Sequence, residues 1–211
     1  MAGTSKKATQ AMSKRKCSVI LFGFIILLAF LVWADRSFYK SLSNKKPTAE
    51  KQIKSYDFEK YHGKIFMVVN IVDGDTIDID IADDKYERTR IRLWGVDTPE
   101  TKNKKYGVMY YGPEASEFTG DLVLGKKVTV YLEKRRTRGK YGRLLAYVRF
   151  AEGDFLNEIL ISEGYGYADS RFRHSFYNKY KQLESTARSN RKGLWGKVLP
   201  DQMPEWKRKQ E

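Results

Sequence analysis

The chain has 211 residues, with 40 Lys and Arg against 26 Asp and Glu, for a formal net charge of +14. That length holds one globular domain of ordinary size plus an appendage, and that charge points to a polyanionic partner, either nucleic acid or an anionic membrane. A single cysteine, Cys17, excludes an intrachain disulfide and a cysteine zinc site, while two histidines, His62 and His174, argue against a histidine-rich metal centre.

Residues 1–16 form a basic leader, with Lys6, Lys7 and the cluster Lys14, Arg15 and Lys16. The stretch from 17 to 34 carries no charge, and no acidic side chain precedes Asp35. As a helix, 17–34 spans roughly 27 Å at about 1.5 Å per residue, close to the hydrocarbon thickness of a bilayer. A single membrane-spanning helix is the favoured reading. A cleaved secretory signal is the rival, with Val32-Trp33-Ala34 a poor cleavage site. Basic residues flank both ends, so the positive-inside rule fixes no orientation. Residues 35–62, polar and lysine-rich, read as a linker. Cys17 is either an apolar filler or a lipid-modified residue at the membrane edge.

From residue 63 to 197 the pattern is that of a folded domain made of short strands and helices. Ile65 to Ile71 is apolar, Asp73-Gly74-Asp75 makes a turn, and Ile77, Ile79 and Ile81 alternate with Asp78 and Asp80. Thr89 to Val96, Lys127 to Leu132 and Leu144 to Phe150 supply three more strands. Five short antiparallel strands predict a small closed or partly open barrel in an α+β fold with a mainly β core. Three helices are predicted: from Pro113 to about Leu124, from a cap at Asp154 to Gly164, and from about Ser175 to Asn190. In the last, Tyr177, Tyr180, Leu183 and Ala187 recur at helical spacing and read as core packing in preference to base-stacking platforms. Residues 198–211, with Trp206-Lys207-Arg208-Lys209, read as a disordered basic tail.

The chemistry concentrates in Arg90-Ile91-Arg92-Leu93-Trp94-Gly95-Val96-Asp97-Thr98-Pro99-Glu100. Alternation puts Arg92 on the strand face opposite Ile91 and Leu93, and a turn at Asp97-Thr98-Pro99 leads to Glu100. Carboxylates beside arginines can hold a hard divalent cation and an anionic substrate together, a combination suited to phosphodiester chemistry. Arg135, Arg136, Arg138 and Lys140 form a basic loop beside Arg143, suited to tracking a nucleic-acid backbone.

Four motifs in register carry a family resemblance: Val72-Asp73-Gly74-Asp75-Thr76; Arg92 with Val96 to Lys102; Tyr111 to Ser116; and Lys140-Tyr141-Gly142-Arg143 with Leu145-Ala146-Tyr147. Asn157-Glu158 and Gly193-Leu194-Trp195-Gly196 follow in order. Over residues 63 to 196 the sequence resembles staphylococcal nuclease, and with the apolar leader it looks like the mitochondrial, membrane-anchored endonucleases of fungi in that family. The resemblance implies a five-stranded OB-fold barrel with three helices, and calcium-dependent cleavage of DNA and RNA. By matching position, Asp75 and Asp97 would ligate Ca2+ by side chain and Thr98 by its carbonyl. Arg92 and Arg143 would hold the scissile phosphate, Glu100 would act on the attacking water, and Lys140 and Tyr141 would contact a terminal phosphate. In that family the product carries a 3'-phosphate, so the resemblance implies the same product here.

Physical chemistry agrees with those roles, since a cation and fixed guanidiniums stabilise charge developing on phosphate oxygens. Arg92, Arg143 and calcium are expected to lower the pKa of Glu100. Asp73 either tunes the metal from behind or makes the turn. The substrate is expected to be single strands or frayed duplex, with little base specificity, because the groups address phosphate. Whether Tyr165 or Tyr167 stacks on a base is open. A non-cleaving nuclease-fold module that binds nucleic acid or protein is the alternative function.

Overall fold

The computed structural model describes residues 26–28, 30–36, 48–102, 107–150 and 153–210, and the chain divides into two units, 1–48 and 49–211. In the first unit, 26–28 and 30–36 are helical, with Ile26, Phe30 and Trp33 exposed. Among the described residues no helix is long and apolar enough to cross a membrane. The expected span begins at 17, and residues 17–25, Cys17 among them, lie outside the described residues.

The second unit is built on a closed barrel of five strands, β1 (Lys64–Asp73), β2 (Thr76–Ile79), β3 (Thr89–Leu93), β5 (Lys127–Leu132) and β6 (Leu144–Phe150). Their order around the barrel is β1-β2-β3-β6-β5. The expectation of wholly antiparallel pairing is corrected at one seam: β3 runs parallel to β6, with Ile91 opposite Leu144 and Leu93 opposite Ala146. A closing strand can reach β3 in that direction because a helix and strand β5 intervene in the chain, as a parallel crossover requires. Irregular register in β1, between Val68 and Asn70 and between Ile71 and Asp73, bends that strand around the barrel. Val68, Ile77, Ile79, Ile91, Val130 and Leu144 are fully buried inside it.

Two further strands, β4 (Val96–Asp97) and β7 (Tyr167–Ala168), pair antiparallel with each other, so the single strand expected over Thr89 to Val96 breaks at Trp94-Gly95. Gly95 has φ +79°, and a Cβ there would meet the His174 ring at 2.5 Å. Only glycine serves at this turn. Asn157 braces it: its amide donates to the carbonyls of Trp94 (2.9 Å) and Ala146 (3.3 Å), and its carbonyl accepts the Val148 N–H at 3.0 Å.

The three expected helices are α2 (Gly112–Val123), α3 (Leu156–Ser162) and α4 (Tyr177–Ser189). Helix α3 starts at Leu156 with no side-chain cap, so Asp154 is not its cap. Tyr180 and Ala187 of α4 are buried in the core as the periodicity predicts. Two further expectations fail. Within the supposed linker 35–62, residues Ala49–Tyr61 form helix α1, which buries Asp57 and Tyr61 completely. Within the supposed disordered tail, Pro200–Gln202 is a 3-10 turn and Glu205–Arg208 a short helix, α5. Lys207 of α5 is 6 % exposed because its ammonium is paired with Glu184 of α4 at 2.6 Å, which compensates its burial.

Candidate active site

A cleft of about 700 Å³ opens at the end of β2 and β3, lined by Asp73, Asp75, Arg92, Asp97, Glu100, Lys140, Tyr141 and Arg143. Seven of the eight residues expected from sequence therefore share one site. The eighth, Thr98, is buried behind it and donates its backbone N–H to Asp75 Oδ2 at 2.8 Å. Register brings the parts together: Thr76, next to Asp75, pairs with Arg92 across β2 and β3, and Asp97 follows the Gly95 turn.

Arg92 is the hub. Its Nη1 contacts Asp75 Oδ2 at 2.9 Å and donates to the carbonyls of Val96 at 2.6 Å and Leu93 at 3.1 Å, while Nη2 donates to Asp97 Oδ1 at 2.5 Å. Burial pushes the Asp75 and Asp97 carboxyls up despite this opposing charge. Arg143 is different. Among the described residues no carboxylate pairs with it; its guanidinium lies 5.9 Å over the Tyr141 ring, as does the Lys140 ammonium at 5.8 Å. Tyr141 itself is 77 % exposed. The guanidinium open to an incoming phosphate is therefore that of Arg143.

The protein's own groups raise the Glu100 pKa, whereas the expected lowering counted calcium together with the arginines. Loss of solvation, then Asp73, Asp75 and Asp97, push it up to about 7. Arg92 does not offset this because it is committed to Asp75 and Asp97. Asp73 makes the turn, accepting the Gly74 N–H at 3.0 Å, and its carboxyl also faces Glu100 within hydrogen-bonding reach. A carboxylate whose pKa lies near neutrality is matched to accepting a proton.

A hard divalent cation fits the donor set. Asp75, Asp97 and the Thr98 carbonyl would supply oxygens, and two carboxylates that share one arginine leave negative charge for a cation. Among the described residues no three His, Cys, Asp or Glu side chains form a metal-binding group, so carbonyl and solvent oxygens would complete the shell.

The expected basic loop divides. Arg136 lines the cleft and lies 5.7 Å over exposed Phe172, whereas Arg138 is structural, donating to Asp57 at 2.6 Å and also to Asp83. Neither Tyr165 nor Tyr167 lines the cleft: Tyr167 is buried, and Tyr165 stacks on Phe118 with ring centroids 3.8 Å apart.

The model of the family described as staphylococcal nuclease homologue matches residues 90–197, just over half of the chain. The chain belongs to the staphylococcal nuclease family. A thermonuclease of Staphylococcus hyicus is 31% identical over 177 residues, covering 83% of this chain and 97% of that protein. A thermonuclease of Staphylococcus intermedius is 36% identical over 140 residues, covering 63% of this chain and 77% of that protein. Endonuclease YncB of Bacillus subtilis strain 168 is 35% identical over 128 residues, 60% of this chain and 59% of its own length. As in the expectation from motifs, a nuclease-family barrel holds Arg92, Asp97, Glu100 and Arg143 within the matched span, while Asp75 lies before it.

Sequence reasoning missed the second layer around Asp97. Arg171 reaches Asp97 Oδ1 at 3.1 Å and Asp169 Oδ1 at 2.8 Å, and the Trp206 indole donates to Asp97 Oδ2 at 2.7 Å. No local signal marks these residues, since Trp206 sits in a run of lysines and arginines that reads as solvated surface.

Proposed function

We propose that this chain is a calcium-dependent, membrane-anchored endonuclease that cleaves DNA and RNA with low base specificity. Membership of the staphylococcal nuclease family makes it a hydrolase of phosphodiester bonds. The observation that carries the finer reading is the cleft in which the Asp75–Arg92–Asp97 cluster lies with Glu100 and with Arg143, which no carboxylate among the described residues pairs.

Asp75, Asp97 and the Thr98 carbonyl would hold calcium, which supplies a Lewis-acid charge beside the scissile phosphate. Arg143 forks onto two phosphate oxygens and stabilises the charge that builds there as water attacks phosphorus. Glu100 orients that water and takes its proton. The P–O5' bond breaks, the 5'-oxygen leaves with the bonding electrons, and the phosphate stays on the 3'-oxygen. Lys140 and Tyr141 would meet a neighbouring phosphate, a reading supported by their place beside Arg143 in the cleft and by the exposure of Tyr141. No residue in this set addresses a base edge, which is the basis for low sequence preference.

The anchor reading rests on the uncharged stretch 17–34, and a mitochondrial location rests on the family resemblance. Purified full-length protein is expected to digest heat-denatured DNA and RNA with calcium and to stop when calcium is chelated; digestion that survives chelation removes the metal from the reading. Membrane fractions should retain the chain through carbonate washing, and release into the wash removes the anchor.

A further inference from the structure

Residues 198–210 lie beyond the span that matches the family, yet they reach the reaction centre. Lys207 is locked to Glu184, Met203 is buried with Tyr167 and Leu194, and the Trp206 ring lies edge-on to Tyr167 at 6.4 Å. These anchors carry the Trp206 N–H to Asp97 Oδ2 at 2.7 Å, with the Arg171 guanidinium 4.5 Å over the same indole. The other oxygen, Oδ1, is held by Arg92 and Arg171. Both ends of the carboxylate are therefore fixed, and its rotation about the terminal side-chain bond is stopped. Arginine and indole do this differently. An arginine brings a full charge that opposes an incoming cation, whereas an indole N–H is a neutral donor. It orients the carboxylate and leaves its negative charge for the metal.

We propose that Trp206 is a positioning residue for the metal site, so that the C-terminal segment 198–210 is a working part of the nuclease. The proposal rests on the reading of Asp97 as a calcium ligand. Outer-shell hydrogen bonds to ligands commonly govern metal affinity by 10- to 100-fold, roughly the size of effect expected here.

The test is calorimetric titration of Ca2+ into full-length wild type, W206F, W195F and D97A, with melting temperatures measured alongside. Trp195 packs edge-on to the same Tyr167 at 5.3 Å, and its own indole N–H is buried without a hydrogen-bond partner among the described residues, so W195F matches the packing loss without the Asp97 contact. W206F is expected to weaken calcium binding about 10- to 100-fold, with cleavage recovering to near wild type at saturating calcium. W195F is expected to lower the melting temperature comparably and leave calcium affinity unchanged. Should W206F fold too poorly to titrate, W206M, which fills apolar space and has no hydrogen-bond donor, takes its place with the same expectation. A fall in melting temperature at wild-type calcium affinity overturns the proposal. A wild type that binds no calcium, or D97A that binds it normally, shows that the metal reading itself has failed, and the proposal falls with it.

Discussion

A guanidinium already bonded to two carboxylates and two carbonyls has few donors left for a phosphate, and Arg92 is in that position. Its removal should strand Asp75 and Asp97 as neighbouring buried acids, so Arg92→Ala is expected to lower both the melting temperature and cleavage. Arg143 has no such duty. Arg143→Ala is expected to leave the melting temperature within a degree or two while cutting kcat about 10²- to 10³-fold, the usual cost of losing a charge-stabilising donor. Arg143→Lys should recover little, because an ammonium cannot fork onto two oxygens. A parallel fall in stability for Arg143→Ala would show that the division of labour between the two arginines is wrong. Glu100→Gln, which keeps shape and loses basicity, is expected to cost about 10²- to 10⁴-fold in kcat by loss of proton transfer. Backbone geometry enters at Gly112, where a Cβ would press on the Glu100 carbonyl at 2.7 Å. Gly112→Ala should reduce kcat by up to about 10²-fold through misplacement alone. The identities of these residues were legible because each carries chemistry in a fixed order along the chain. The direction of the Glu100 shift was not, since it depends on which partner Arg92 takes in space.

Elements built on strong alternation emerged where the pattern placed them. In β3, Ile91 and Leu93 are buried and Arg90 is exposed, as a two-residue period dictates. Helix α1 was illegible because it buries only Asp57 and Tyr61 and has no apolar stripe. Tyr61 and Phe58 seat it against the core, and charge pins it: Arg138, from the β5–β6 connection, pairs with fully buried Asp57 and with Asp83. Breaking one side of a buried pair leaves an uncompensated charge, so Arg138→Met should destabilise the domain by about 3–5 kcal/mol in chemical denaturation. Its nuclease activity at low temperature should persist. The same cluster gives a pH signature. Burial raises the Asp83 pKa, but the hydrogen bonds and charge of Arg138 outweigh it and hold the carboxyl below its usual range. A group depressed in the folded state contributes stability that is full above its unfolded pKa, about 3.9, and is lost as pH falls through the folded value. Melting temperatures of Asp83→Asn, followed from pH 6 to pH 2.5, are therefore expected to fall less steeply than wild type below about pH 4. Identical slopes would mean that Asp83 is not the group responsible.

At the scale of the whole molecule, the net charge of +14 and the cleft agree on the substrate. If Arg136, Lys140 and Arg143 each meet one phosphate of a single strand, the slope of log affinity against log salt is about −2, and raising salt from about 50 to 200 mM should weaken binding roughly 16-fold. The slowed Glu100→Gln variant on a labelled oligonucleotide, with calcium chelated, would give that slope directly; a slope near zero would place the strand elsewhere. The barrel was legible at this scale because five strand patterns close on one apolar interior. The C-terminal segment was not, because what orders Lys207 is a glutamate twenty-three positions earlier on another helix. That segment has a practical consequence. Any fusion partner or affinity handle attached after Glu211 joins the chain five residues past Trp206, whose indole touches Asp97. A recombinant version extended there could therefore lose turnover through the handle alone, and assays should compare it with a version whose handle is placed elsewhere.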